Sequence, residues 1–116
     1  MKNDLEERTT KFGKEVILFV KNLKRDVINL PLISQIVRSS TSIGANYREA
    51  RGASSRKDFK NKLFICKKEA NETKHWLELI AETNPKTKAE CRKLWKEAQE
   101  LTLIFSQAIL TTEKKK

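Results

Sequence analysis

The chain has 116 residues, of which 38% are hydrophobic and 34% charged, and its formal net charge at pH 7 is +10. This length and balance predict one domain with a core and a charged surface. No apolar run is long enough to span a membrane, and the charged N-terminus lacks the apolar region of a signal peptide, so we expect a cytoplasmic protein. Two cysteines, Cys66 and Cys91, are too few for a disulfide framework or a Cys-based zinc site.

The first predicted helix covers residues 4–25. Asp4 is a suitable N-cap, and Glu6 and Glu7 complement the helix dipole in the first turn. The five consecutive apolar residues Val16–Val20 cover more than one helix face, so we expect this helix to bury a second face against another protein surface. The predicted stripe comprises Leu5, Phe12, Val16, Phe19, Val20, Leu23 and Val27.

Two further helices are predicted over residues 31–51 and 56–82. Pro31 fits the first position of the second helix, and Gly52 is suited to a left-handed C-cap. Ser55 opens a Ser-x-x-Asp sequence of the capping-box type at the start of the third helix, and Ser54 is an equally suitable cap. The apolar stripe of the third helix comprises Phe59, Leu63, Cys66, Ala70, Thr73, Leu77 and Ile80.

A fourth helix is predicted over residues 86–111, with Asn84 as its cap and Pro85 at its start. Residues 113–116 are expected to form a frayed basic tail. Four helices joined by short breaks predict a single all-α domain over residues 1–116, an antiparallel up-down-up-down four-helix bundle. The surplus of apolar positions favours a homo-oligomer, and a closed ring is the usual solution.

Residues 33–59 combine apolar positions at helical spacing with a run of small side chains. Serine and glycine are mediocre helix formers, so local propensity does not explain the run. Small side chains let another helix approach closely, either within the chain or between chains. The residues predicted to serve packing or assembly are Ile43, Gly44, Ala45, Tyr47 and Phe59.

The segment RSSTSIGANYREARGASSRKDF, residues 38–59, resembles the signature of the small four-helix-bundle proteins called 23S rRNA intervening sequence proteins. That family is similar in turn to the accessory proteins of diversity-generating retroelements. The likeness runs from about Leu5 to Ile109. It implies a pentamer, and either a gene carried within an intervening sequence of a ribosomal RNA gene or a role beside a reverse transcriptase. Its most specific parts are TSIGAN at Thr41–Asn46, Glu49-Ala50, and Ser55 with Asp58-Phe59.

The candidate site is basic, because residues 48–68 contain eight basic and two acidic residues. We expect the turn after the second helix to bring the two halves of this run together, and a ring to join the copies into a basic belt. Such a belt binds phosphate backbones of RNA or DNA through counterion release, with little base specificity. The alternative is a solvated helix face. The predicted nucleic-acid-binding residues are Arg48, Arg51, Arg56, Lys57, Lys60 and Lys67.

Two details of this run carry their own predictions. Glu49 is expected to form ion pairs with Arg48, Arg51 or a neighbouring subunit. We find no alternation of basic and aromatic residues of the kind that stacks single-stranded bases.

Catalytic chemistry has little support in the sequence. Glu72 and His75 match the Glu-x-x-His motif of di-iron bundles, but such sites need a second motif and this chain has one histidine. No Ser-His or Cys-His arrangement can be argued, and the three glycines do not form a phosphate-binding loop. We therefore predict no metal, no cofactor and no enzymatic activity. The competing function is a protein–protein scaffold that binds an acidic protein, such as a reverse transcriptase.

Overall fold

The computed structural model describes residues 4–114, which form four α-helices and contain no strand. None of these helices has an apolar stretch that reaches across a membrane. The molecule is elongated, with extents of 49 × 24 × 20 Å, as expected for helices of 17 to 28 residues lying side by side. The helices are α1 (Asp4–Val20), α2 (Asn29–Arg51), α3 (Arg56–Thr83) and α4 (Lys88–Lys114), and a 3₁₀ turn spans Pro85–Thr87.

Contacts between successive helices show that each runs antiparallel to the one before it. Residues near the start of α1 meet the end of α2, where Arg51 pairs with Glu6. Near the middle of both helices, the Ser39 and Thr73 hydroxyls of α2 and α3 lie 2.8 Å apart. Lys60 at the start of α3 pairs with Glu113 at the end of α4. The prediction of an all-α four-helix bundle is therefore confirmed.

The first helix ends at Val20, five residues before its predicted end at Arg25. The Arg25 guanidinium donates to the backbone carbonyls of Val20 (3.0 Å) and Leu23 (2.9 Å), so a side chain satisfies carbonyls at the helix end. Placing Val27 in the apolar stripe was wrong, because its side chain is 82% exposed in the turn that follows.

The second helix begins at Asn29, two residues before the predicted start at Pro31. The Asp26 carboxylate accepts hydrogen bonds from the backbone N–H groups of Ile28 (3.1 Å) and Asn29 (2.8 Å), which starts the helix early. Pro31 is still within the first turn, where a missing N–H is no loss. The left-handed C-cap was also wrong, since Gly52 has φ −95° and ψ 11°, a conformation open to any residue.

The third helix extends one residue beyond its predicted end, and the Ser55 hydroxyl caps its start by accepting from the Asp58 N–H at 3.0 Å. Asn84 does not cap the next helix through its side chain. Its amide instead forms a reciprocal pair of hydrogen bonds with the buried Asn29 amide, at 3.0 and 2.9 Å. This pair ties the first and third interhelical connections together at one end of the bundle.

The fourth helix begins at Lys88, two residues after its predicted start, because residues 85–87 form the 3₁₀ turn. It continues through Lys114, so the frayed tail predicted to begin at Glu113 is helical in its first two residues. The rest of that tail, Lys115 and Lys116, lies outside the described residues.

The hydrophobic core draws on all four helices, and its largest side chains are fully buried. Tyr47 and Phe105 lie across it, with ring centroids 6.2 Å apart. Each fully buried Phe or Leu contributes roughly 1.5–3 kcal/mol of transfer free energy, so the stripes account for the association of the helices. The most deeply buried large residues are Phe12, Val16, Ile36, Ile43, Leu63, Leu77, Ile80, Leu101 and Phe105.

The helices α1 and α2 approach closely because each carries a glycine at the contact. A Cβ atom on Gly44 would lie 3.4 Å from the Thr9 backbone carbonyl carbon, and one on Gly13 would lie 3.6 Å from the Thr41 Cα. A methyl group fits at these distances, whereas a longer side chain meets the opposite backbone. By contrast, α1 and α4 touch at few positions, where Arg8 pairs with Glu97 and Glu100.

Candidate nucleic-acid interface

The two arginines at the end of α2 lie on the side of the bundle that faces α1. Arg51 pairs with Glu6 at 2.6 Å and Arg48 pairs with the same carboxylate at 3.3 Å. Arg48 also borders a groove of about 380 Å³ between α1 and α2, together with Lys14. One carboxylate from α1 thus partly neutralises both arginines. We call Arg48 and Arg51 the α2 arginine pair.

The basic residues at the start of α3 lie on a different side of the bundle, next to the end of α4. Arg56, Lys57 and Lys60 border a cleft of about 530 Å³ with Asn61, Thr112 and Glu113. The Lys60 ammonium lies 3.6 Å from the Glu113 carboxylate, a loose ion pair at a partly exposed site. The residues that line this cleft and those that line the α1–α2 groove do not overlap, so the predicted basic run is divided into two groups.

The outward side of α3 continues the second group. Lys57 and Lys68 are exposed and Lys67 is half-buried, and none of the three pairs with an acidic residue among residues 4–114. Of the acidic residues in this part of the helix, Asp58 acts electrostatically on Lys62, and Glu69 is buried against Arg38. We call the four residues Lys57, Lys60, Lys67 and Lys68 the α3 lysine face.

Lys62 belongs to neither group, because it turns toward α2. Its ammonium donates to the Glu49 carboxylate at 2.8 Å, and this hydrogen bond raises the pKa of Lys62. The expected pairing of Glu49 with Arg48 or Arg51 is therefore replaced, within the described chain, by a pairing with α3. The exchange follows from the helix geometry, because Glu49 lies on the α3 side of α2 and the arginines lie on the α1 side.

The α3 lysine face contains an exposed aromatic ring, that of Phe64, which was not among the binding residues predicted from the sequence. Phe64 is 46% exposed and is the one exposed Phe, Tyr or Trp among residues 4–114. Lys60 precedes it by four residues, and Lys67 and Lys68 follow it by three and four, so all three are its neighbours on the helix surface. The sequence KNKLFICKK, residues 60–68, contained the signal. Lys60, Lys67 and Lys68 lie three or four residues from Phe64, a helical spacing, and therefore do not alternate with aromatic residues along the chain.

The five predicted packing residues divide between the core and the surface. Ile43 and Tyr47 are buried in the core, and Gly44 is buried against α1. Phe59 is half-buried against the core. Ala45 is exposed at the rim of the α1–α2 groove. Four of the five therefore have a packing role within one protomer.

The described residues contain no group of side chains arranged for metal binding. Glu72 accepts a hydrogen bond from the Trp76 indole at 3.0 Å and pairs with Arg38, while His75 is exposed. Burial raises the pKa of the Cys66 thiol to about 12, so this side chain is a poor nucleophile. The hydrogen bond and ion pair of Glu72 and the burial of Cys66 therefore explain these two residues as structural ones.

The chain is similar to known proteins both in sequence and in structure. The sequence model of the family described as 23S rRNA-intervening sequence protein matches residues 1–107. A crystal structure from Bacteroides thetaiotaomicron, of a protein of unknown function from the S23 ribosomal protein family, is 37% identical. The match covers 90% of this chain and 96% of that one, with a TM-score of 0.80. None of the curated proteins matches the chain.

Proposed function

Because the chain belongs to the 23S rRNA-intervening sequence protein family, we propose that it is a non-catalytic RNA-binding protein of the cytoplasm. In this proposal the α3 lysine face and Arg56 engage the phosphate backbone. The single observation that carries it is the outward side of α3, where three lysines have no acidic partner among the described residues.

Unpaired lysines on a rigid helix are suited to phosphate recognition. Like-charged side chains three or four residues apart repel one another and destabilise an isolated helix by about a few tenths of a kcal/mol per pair. A bound polyanion relieves this repulsion, so the arrangement of lysines favours its binding. Each lysine that neutralises a phosphate releases condensed counterions, which supplies affinity without reading the base sequence. The net charge of +10 also speeds the encounter with RNA.

We also propose that the protein acts as a ring, a pentamer, in which each copy adds its α3 lysine face to a common belt. The support is the apolar surface that one protomer leaves exposed. Ile17 and Leu18, in the five-residue apolar run of α1, are 38% and 60% exposed. On α4, Leu103 and Leu110 are 58% and 50% exposed. Burial of such surfaces between copies removes apolar area from water.

The test is RNA binding by the purified, nuclease-treated protein over a series of salt concentrations, with its mass in solution measured by light scattering. We expect binding that weakens steeply with salt, because log K falls by about 0.7–0.9 for each phosphate contact per unit of log salt. A ring-sized mass is expected alongside. Absence of binding at low salt would exclude RNA as the partner, and retention of a defined acidic protein instead would favour the scaffold function.

A further inference from the structure

Phe64 is unusual because a large apolar ring is kept in water between charged side chains. Its exposed fraction of 46% contrasts with the buried Phe12, Phe19 and Phe105 of the core. Helix propensity gives no reason for the choice, since phenylalanine is a poorer helix former than lysine or leucine. A face that served solubility alone would be better made with a polar side chain at this position.

Basic and amide side chains surround Phe64 on the surface of α3. Residues one turn before and one turn after it are lysines, and two asparagines, Asn61 and Asn71, lie three residues before and seven after. All of the residues on the stripe Lys57, Asn61, Phe64, Lys68, Asn71 and His75 are exposed. Ammonium groups bind phosphate and side-chain amides can hydrogen-bond with base edges, so the ring has the expected polar companions.

We propose that Phe64 is a stacking platform for an unpaired base, so that the α3 lysine face prefers single-stranded or looped RNA to a continuous duplex. The proposal rests on the proposed RNA binding and adds its substrate class. The bases of a duplex stack on one another and do not offer their faces to a side chain, whereas unpaired bases stack on aromatic rings without sequence preference.

The charge pattern favours RNA over a second copy of the chain as the occupant of this face. In a two-fold contact made by this face alone, the lysines of one copy would oppose the lysines of the other, a destabilising arrangement. A ring joins two different surfaces, and the exposed apolar residues assigned above to that contact lie on α1 and α4 rather than on α3.

The experiment compares an oligouridine of about 20 nucleotides, carrying one 2-aminopurine, with an RNA duplex of the same length at one low salt concentration. Phe64→Leu keeps an apolar side chain and removes the ring. We expect its affinity for the oligouridine to fall roughly 5- to 150-fold, the loss that corresponds to one stacked base, and its affinity for the duplex to stay unchanged. Quenching of 2-aminopurine fluorescence should be lost with the ring.

Two controls make the result specific. Phe64→Tyr retains a stacking ring and should retain both affinity and quenching. Val27→Ala removes an exposed apolar side chain from the turn after α1, away from the α3 lysine face, and should leave single-strand affinity unchanged.

The outcomes separate this proposal from the proposed function. If the wild type and Phe64→Leu bind the oligouridine equally, binding is by phosphate contacts alone and the stacking proposal is overturned, while the proposed function stands. A lower mass of Phe64→Leu in solution would place the ring between copies and would also overturn it. If the wild type binds neither probe, the proposed function fails first.

Discussion

The α2 arginine pair and the α3 lysine face come from one basic run of the sequence, but the fold gives them different surroundings. Arg48 and Arg51 share the Glu6 carboxylate, which α1 supplies from 42 or more residues away in the chain. On the α3 lysine face, the one ion pair formed among residues 4–114 is the 3.6 Å contact between Lys60 and Glu113. The first group helps to join two helices, whereas three of the four lysines in the second have no acidic partner among the described residues.

The number of basic residues in a stretch of sequence therefore does not give the positive charge that the folded chain can offer to a ligand. Glu6 and Glu113 are remote from the basic run, and each lowers the effective charge of one part of it. Exposed ion pairs contribute roughly 0–1 kcal/mol to stability, but each one also competes with a phosphate for the same cation. Substitutions in each group test whether the two groups differ in RNA binding and in their contribution to stability.

The largest expected effect comes from replacing Lys57, Lys60, Lys67 and Lys68 with glutamine. We expect RNA affinity at low salt to fall about 100-fold or more and the slope of log K against log salt to decrease by about 3, because four phosphate contacts are lost. Helical content should be unchanged by circular dichroism, since these side chains lie on the helix surface. An unchanged slope would show that RNA binds elsewhere.

The second effect concerns the α1–α2 contact beside the arginine pair. Gly44→Leu should lower the free energy of unfolding by about 1–3 kcal/mol, because a Cβ already lies 3.4 Å from the α1 backbone and the longer side chain overpacks the contact. Gly44→Ala is the matched control, since its methyl group fits and alanine raises helix propensity by up to about 1 kcal/mol. Urea unfolding measures both, and equal stability of the two variants would contradict close packing.

The smallest effect is expected from the α2 arginine pair itself. Arg48→Gln combined with Arg51→Gln should lower the free energy of unfolding by about 1 kcal/mol or less and weaken RNA binding by less than about threefold, because both cations are engaged by Glu6. Urea unfolding and the salt series together measure this.

Glu6→Gln sharpens the same prediction by releasing both arginines. It should raise RNA affinity by about threefold at low salt, through the added positive charge, with a similarly small loss of stability. If the double arginine variant instead lost as much affinity as the lysine variant, the two groups would form one continuous site.

Local signals in the sequence located much of the fold. Ser54 and Ser55 were both predicted as possible caps of α3, and the structure shows that the Ser55 hydroxyl caps it. Six of the seven residues predicted for the apolar stripe of α3 are buried, and the seventh, Phe59, is half-buried. The prediction was correct because a 3.6-residue period of apolar residues places them on the helix face that meets the core. The predicted end of α1 was wrong because apolar periodicity continues to Leu23, while Arg25 and Asp26 satisfy backbone groups that the helix would otherwise use.

The candidate site was predictable in composition but not in arrangement. The sequence alone determined that the chain is helical, has four amphipathic segments, and carries a basic run between residues 48 and 68, because these properties depend on neighbours within a few residues. Two features could be read only from the tertiary structure: which basic side chains pair with a carboxylate, and the exposure of Phe64 among lysines. Those outcomes depend on which helix faces pack together, and packing brings Glu6 and Glu113 to partners far away in the sequence.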